Sequence, residues 1–158
     1  MAHVLSTEQW VPTTLDETFA FFADAFNLEG ITPPFLRFRI VTPPPITMRV
    51  GTMIEYRLSL YGMPMRWLSR IDRWEPGVAF VDRQVEGPYR KWVHLHTFKA
   101  SDGGTQVNDR VDYELPLEPL SNPAHPLFVR PSLERIFAFR RAAIHRRLGN
   151  PAATLAAR

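Results

Sequence analysis

Residues 80–98 read FVDRQVEGPYRKWVHLHTF, and this stretch decides the fold. The turn signal Gly87-Pro88 divides it into two short runs, so it reads as a β-hairpin. Successive side chains of a strand point to opposite faces. Phe80, Asp82 and Gln84 therefore share one face of the first strand, and Trp92, His94, His96 and Phe98 share one face of the second. That phase mixes bulky aromatics with a carboxylate, a carboxamide and two imidazoles. Buried polar groups need partners, so such a face reads as a pocket wall and not as a plain core.

Hairpin signals continue on both sides. After Gly51, Ile54, Tyr56, Leu58 and Leu60 alternate with Glu55, Arg57 and Ser59, which gives a strand with one wet face. Gly62-Met63-Pro64 makes a turn, and Trp67, Ser69 and Ile71 keep phase along the next strand. Trp74 falls out of that phase, which predicts a bulge or a strand end. Glu75-Pro76-Gly77 returns the chain to the central hairpin. Downstream, Asp102-Gly103-Gly104 leads to a strand whose Val107, Asp109, Val111, Tyr113 and Leu115 share one face. Upstream, residues 3–11 read as a first strand, and residues 38–41 as a short one stopped by Pro43-Pro44-Pro45.

Thr14 and Glu17 form a capping box for a helix with Leu15, Phe19, Phe22 and Phe26 on one stripe, expected to stop near Asn27. A short second helix fits before Gly30 and Pro33-Pro34 break it. The proline-rich segment 116–131 has room for a helical turn from Pro123 capped by Asn122. A last helix over 130–148 ends at Gly149-Asn150-Pro151. Leu133, Phe137, Ile144 and Leu148 occupy one sector of it, with Arg140 inside that sector. The order predicts an α+β fold, an antiparallel curved sheet with the last helix laid across one face. One domain over residues 1–150 and a frayed tail over 151–158 are expected.

Composition narrows function. The chain has 158 residues and no cysteine, which excludes disulfides, zinc–thiolate sites and thiol nucleophiles. No signal peptide and no apolar run of membrane-spanning length is visible, so a soluble, cytoplasmic protein with no membrane span is expected. The net charge is +3 and the pI about 9.7. Much of the excess lies in Arg135, Arg140, Arg141, Arg146 and Arg147, which read as a solvated helix face and not as a nucleic-acid surface. Edge strands and an exposed Phe139 leave room for a homodimer. No phosphate loop or nucleotide fingerprint occurs, and no cofactor is expected.

The chemistry-bearing residues converge on the hairpin. His94 and His96 could share a divalent ion with Asp82 or Asp109. No local spacing supplies the third ligand, so hydrogen-bonded, metal-free histidines are expected, either one placed to act as a general base. Arg140, on the helix face turned to the sheet, must be paired or reach water. A salt bridge to Asp109 or Asp82 is expected, compatible with a second role in anchoring a ligand carboxylate or phenolate. Tyr56, Trp67, Trp92, Phe98, Tyr113 and Phe137 are expected in the core, where they would also line an aromatic cavity.

The segments FFADAFNLEGITPPFLRF, GTMIEYRLSLYGMPMRW, FVDRQVEGPYRKWVHLHTF, GGTQVNDRVDYELP and LERIFAFRR resemble the SRPBCC proteins of the START and birch-pollen-allergen superfamily. The resemblance extends over about residues 3–148 and is nearest to bacterial ligand-binding SRPBCC domains, which stand alone or fuse to nucleoside-sugar epimerase-like domains. It implies the helix-grip fold: a seven-stranded antiparallel sheet wrapped around a long C-terminal helix, two short helices after the first strand, and a cavity between. That superfamily includes lipid carriers, hormone receptors, polyketide cyclases and aromatases. The expected function is binding of a small hydrophobic or amphipathic molecule. The alternative is a cyclase, dehydratase or hydrolase using a cavity histidine or aspartate on a polyketide-like or aromatic substrate. Residues expected around the ligand are Tyr56, Trp67, Asp82, Gln84, Trp92, His94, His96, Asp109, Tyr113, Phe137 and Arg140. Segments 30–35 and 43–51 are expected at the cavity mouth.

Overall fold

The central hairpin lies in the middle of a seven-stranded sheet in the computed structural model, which describes residues 2–117 and 125–149. The strands are β1 (His3–Val11), β2 (Arg39–Ile40), β3 (Met53–Leu60), β4 (Met63–Glu75), β5 (Ala79–Glu86), β6 (Lys91–Ser101) and β7 (Gly104–Glu114). Their spatial order is β1-β7-β6-β5-β4-β3-β2, with every neighbouring pair antiparallel. From β3 to β7 each strand pairs with the next in sequence, as short turns demand. The bulge signalled by Trp74 is present: the β4–β5 register shifts between Ile71 and Arg73. The extra residue returns Trp74 to the inner face, opposite Phe80 and against the core.

Among the described residues, the helices follow the same order: α1 (Leu15–Ala23), α2 (Asn27–Gly30) and α3 (Arg130–Leu148). A 3-10 turn spans Pro34–Leu36, and a π-helical turn, His125–Val129, leads into α3. At the start of α1, Thr14 Oγ1 accepts from the Glu17 N–H at 3.3 Å and donates to the Glu17 carboxylate at 2.9 Å. Thr14→Ala is expected to cost about 1 kcal/mol, lowering Tm by roughly 2–4 °C in a thermal melt; an unchanged Tm would contradict the cap. The helix stops before Asn27 because the Asp24 carboxylate accepts the Phe26 N–H at 2.9 Å and draws the chain into a turn. Phe26 accordingly leaves the apolar stripe and is 37% exposed. The helical turn expected from Pro123 and the tail expected to fray over 151–158 lie outside the described residues.

α3 lies across the concave face and packs at both ends. Ala143, Ile144 and Leu148 join Val11, Phe19, Phe80 and Phe98 in one apolar cluster, and Leu133 and Phe137 join Trp92, Val111 and Tyr113 in another. A third cluster, Ala25, Ile54 and Tyr56, sits over β3. Phe139, expected on the surface, is half-buried against the first cluster with the Arg146 guanidinium 5.8 Å from its ring centre. Arg135 covers Phe35 in the same manner at 4.9 Å. These arginines lie along aromatic surface with their charge outward. Among the described residues, no helix is long and apolar enough to cross a membrane.

Candidate functional site

The three clusters meet around a cavity of about 180 Å³. Of the expected residues, Tyr56, Trp67, Asp82, Trp92, His94, His96, Phe137 and Arg140 line it. Three others do not. Gln84 shares the phase of Asp82, but β5–β6 pairing ends at Arg83 opposite Val93. Past that point Gln84 braces the turn instead, donating to Tyr89 O at 2.6 Å and accepting from Tyr89 N at 3.3 Å. Asp109 lies one strand further on, screened from the cavity by the histidines it holds. Tyr113 sits at the far end of β7, where its Oη lies 2.7 Å from His125 Nε2, facing a polar groove between β1 and α3.

The helical segments contribute more wall than the strand pattern signalled. Phe22, Leu28 and Leu36 line the cavity from α1, α2 and the 3-10 turn. The helical apolar stripe signalled Phe22, yet a stripe does not separate core from cavity. Ile31 and Thr32 from segment 30–35, and Met48 from segment 43–51, also line it.

One side of the cavity is a buried square of alternating histidines and aspartates. Register creates it: Asp82 stands opposite His94, and His96 opposite Asp109. His94 Nε2 lies 3.1 Å from Asp109 Oδ1, and His96 Nε2 lies 3.1 Å from Asp82 Oδ2. The remaining contacts are His96 Nδ1 to Asp109 Oδ1 at 2.7 Å and His94 Nδ1 to Asp82 Oδ2 at 3.7 Å. The 2.7 Å contact is close but poorly aligned, so it is ionic more than a directed hydrogen bond. The imidazole rings stack with centres 3.8 Å apart, and Phe80 stacks on His96 at 4.2 Å.

Burial disfavours every charge in this square, and pairing decides which survive. For Asp109, burial is outweighed by the His96 charge beside it and by the His94 hydrogen bond, so its carboxyl is held well below the usual range. For Asp82, burial is likewise outweighed, first by the His96 hydrogen bond, and the carboxyl is lowered. Burial, then the neighbouring His96 charge, lowers His94 and favours its neutral form. His96 goes the other way: contacts with Asp109 and Asp82 overcome burial and raise it, favouring the imidazolium.

The salt bridge expected from Arg140 does not form, and among the described residues Arg140 makes no ion pair. Both acids are satisfied by cross-strand histidines, whose side chains lie closer than any group on the helix above. The guanidinium carbon instead sits 5.2 Å from the Phe137 ring centre, and Nε is buried without a hydrogen-bond partner. Its charge still reaches Asp82 as the weakest of the contributions that lower that carboxyl. Arg140 thus brings an unsatisfied donor to a largely apolar cavity, a cost of about 1–3 kcal/mol that an acceptor would relieve.

Residues 11–140 match the family model described as polyketide cyclase / dehydrase and lipid transport. The chain belongs to that family. Among solved structures, the chain is similar to TTHA0849 from Thermus thermophilus, with 19% identity, a TM-score of 0.68, and coverage of 98% of this chain and 99% of that one. It is also similar to the ginseng major latex-like protein 151 from Panax ginseng, at 15% identity and TM-score 0.68, over 94% and 98% of the two chains. These likenesses carry the fold, and it is the helix-grip fold that the resemblance implied. The nucleoside-diphosphate sugar epimerase from Corynebacterium glutamicum matches at 26% identity and TM-score 0.56, over 73% of this chain and 25% of that one. Among curated proteins, no sequence matches the chain.

Proposed function

We propose that the protein binds a small aromatic acid, about one substituted ring in size, with the ring in the cavity and its anionic group on Arg140. The observation that carries this reading is the pairing of an apolar cavity with a guanidinium whose Nε is buried and unpartnered. Size supports it: a cavity of about 150 Å³ accepts benzene, and this one measures about 180 Å³. Trp67, Trp92 and Phe137 offer ring faces and edges, the two indoles meeting at 88° with centres 5.3 Å apart.

A second reading has an observation of its own. His94 and His96 face the same cavity, backed by carboxylates that hold them in place. A positioned imidazole can move a proton on a bound substrate. That arrangement favours a cyclase, dehydratase or hydrolase acting on a polyketide-like or aromatic substrate. A binding protein returns its ligand unchanged and the enzyme converts it, so product analysis after incubation separates the two.

Trp67 and Trp92 make the binding reading measurable through intrinsic fluorescence. Benzoate is expected to bind saturably and at least about tenfold tighter than benzamide, since a charged hydrogen bond contributes about 1.5–3 kcal/mol. Arg140→Met should erase that preference while leaving the fold intact, because no ion pair among the described residues is broken and methionine refills the volume. Arg140→Ala should be the less stable of the two because it enlarges the cavity. Equal affinity for acid and amide in the wild-type protein, or no saturable change, would overturn the reading.

A further inference from the structure

We infer that Asp82, His94 and His96 form a binding site for a divalent first-row transition ion, set in the wall of the cavity. The three donor atoms lie within 4.8 Å of one another. His96 Nε2 is 3.1 Å and His94 Nδ1 is 3.7 Å from Asp82 Oδ2. Metal bonds of about 2.1 Å at tetrahedral or octahedral angles set neighbouring donors roughly 3.0–3.4 Å apart. Small side-chain adjustments therefore suffice to bring all three onto one ion.

The orientation of the histidines is the second observation. They use opposite nitrogens: His94 turns Nδ1, and His96 turns Nε2, toward Asp82. Asp109 takes the nitrogen that each leaves behind, His94 Nε2 at 3.1 Å and His96 Nδ1 at 2.7 Å. A carboxylate on the far nitrogen of a metal-binding histidine fixes its tautomer and ring plane. Here one carboxylate serves both rings. His94 and His96 are only 4% and 5% exposed, while Asp82 opens to the cavity.

Charge and donor type select the ion. A bound ion displaces the His96 proton, after which two neutral imidazoles and two carboxylates match a dication, and nitrogen donors favour zinc or iron over magnesium or calcium. Three protein ligands on one side leave the cavity side of the ion open to a small molecule. Sequence spacing could not supply the third ligand, because Asp82 arrives from the neighbouring strand through register. The site does not depend on the ligand reading and is tested with metal alone.

Chelator-treated wild-type protein is titrated with Zn(II) by calorimetry and with Co(II) by visible absorption. The expected result is one ion per chain. Asp82→Asn and His94→Gln should each weaken binding by more than about a hundredfold, beyond the range in which outer partners act. His145→Gln, on the exposed side of α3, should leave it unchanged. Circular dichroism checks that each variant is folded. If the cluster variants do not fold, Cu(II) electron paramagnetic resonance on the wild-type protein decides, with two imidazole nitrogens expected. Absence of binding, binding that survives Asp82→Asn, loss of binding in His145→Gln, or fewer than two coordinated nitrogens would overturn the site.

Discussion

Asp109→Ala is expected to remove about 3–5 kcal/mol of stability, the loss typical when one partner of a buried ion pair is deleted. For a chain of this size that lowers Tm by roughly 6–20 °C. Asp109 is 7% exposed and touches a nitrogen of both histidines. Alanine would leave His96, which favours its charged form, with Asp82 alone, and His94 Nε2 with no acceptor. A domain's whole margin is about 5–15 kcal/mol, so the change takes a large share of it. Asp109→Asn keeps the volume and one acceptor and should cost less. Thermal and urea unfolding in the presence of a chelator measure both variants. A melting temperature for Asp109→Ala within about 2 °C of wild type, a difference of roughly 1 kcal/mol or less, would contradict the pairing described.

Phe19→Ala should be nearly as damaging, at about 3–5 kcal/mol. Phe19 is 8% exposed and packs against Trp74 and Phe98, each with ring centres 5.2 Å away, and against Phe80 at 6.3 Å. It fastens α1 to the sheet. A nine-residue helix has little stability of its own, so losing this anchor loosens all of α1 and the cavity wall formed by Phe21 and Phe22. Hydrogen exchange in α1 should therefore accelerate more than in β6. Equal protection of α1 in variant and wild type would show that other contacts hold the helix.

Periodicity carried most of the fold. Alternation located the strands, the Trp74 phase break located the bulge, and the helix signals placed α3 over 130–148, as observed. Phase also identified which side chains turn inward. What phase does not report is position along a strand or along α3, because that depends on register and on how far the helix slides over the sheet. Arg140 and the two acids all carry the inward phase, yet the histidines directly across the ladder claim the acids first. Gln84 kept the right phase but stood one residue beyond the last β5–β6 pair. Tyr113 kept its phase as well and ended up in a different groove. That Phe22, Leu28 and Leu36 face a cavity and not a filled core has no signal in residue spacing, because unfilled volume is a property of the packed chain.

Soaking crystals of the protein with benzoate puts the Arg140 cavity to a direct test. One benzoate is expected inside the cavity, its ring among Trp67, Trp92 and Phe137 and its carboxylate within about 3.2 Å of the Arg140 guanidinium. Benzoate found only on the protein surface, or a cavity closed by its own side chains at saturating benzoate, would contradict it.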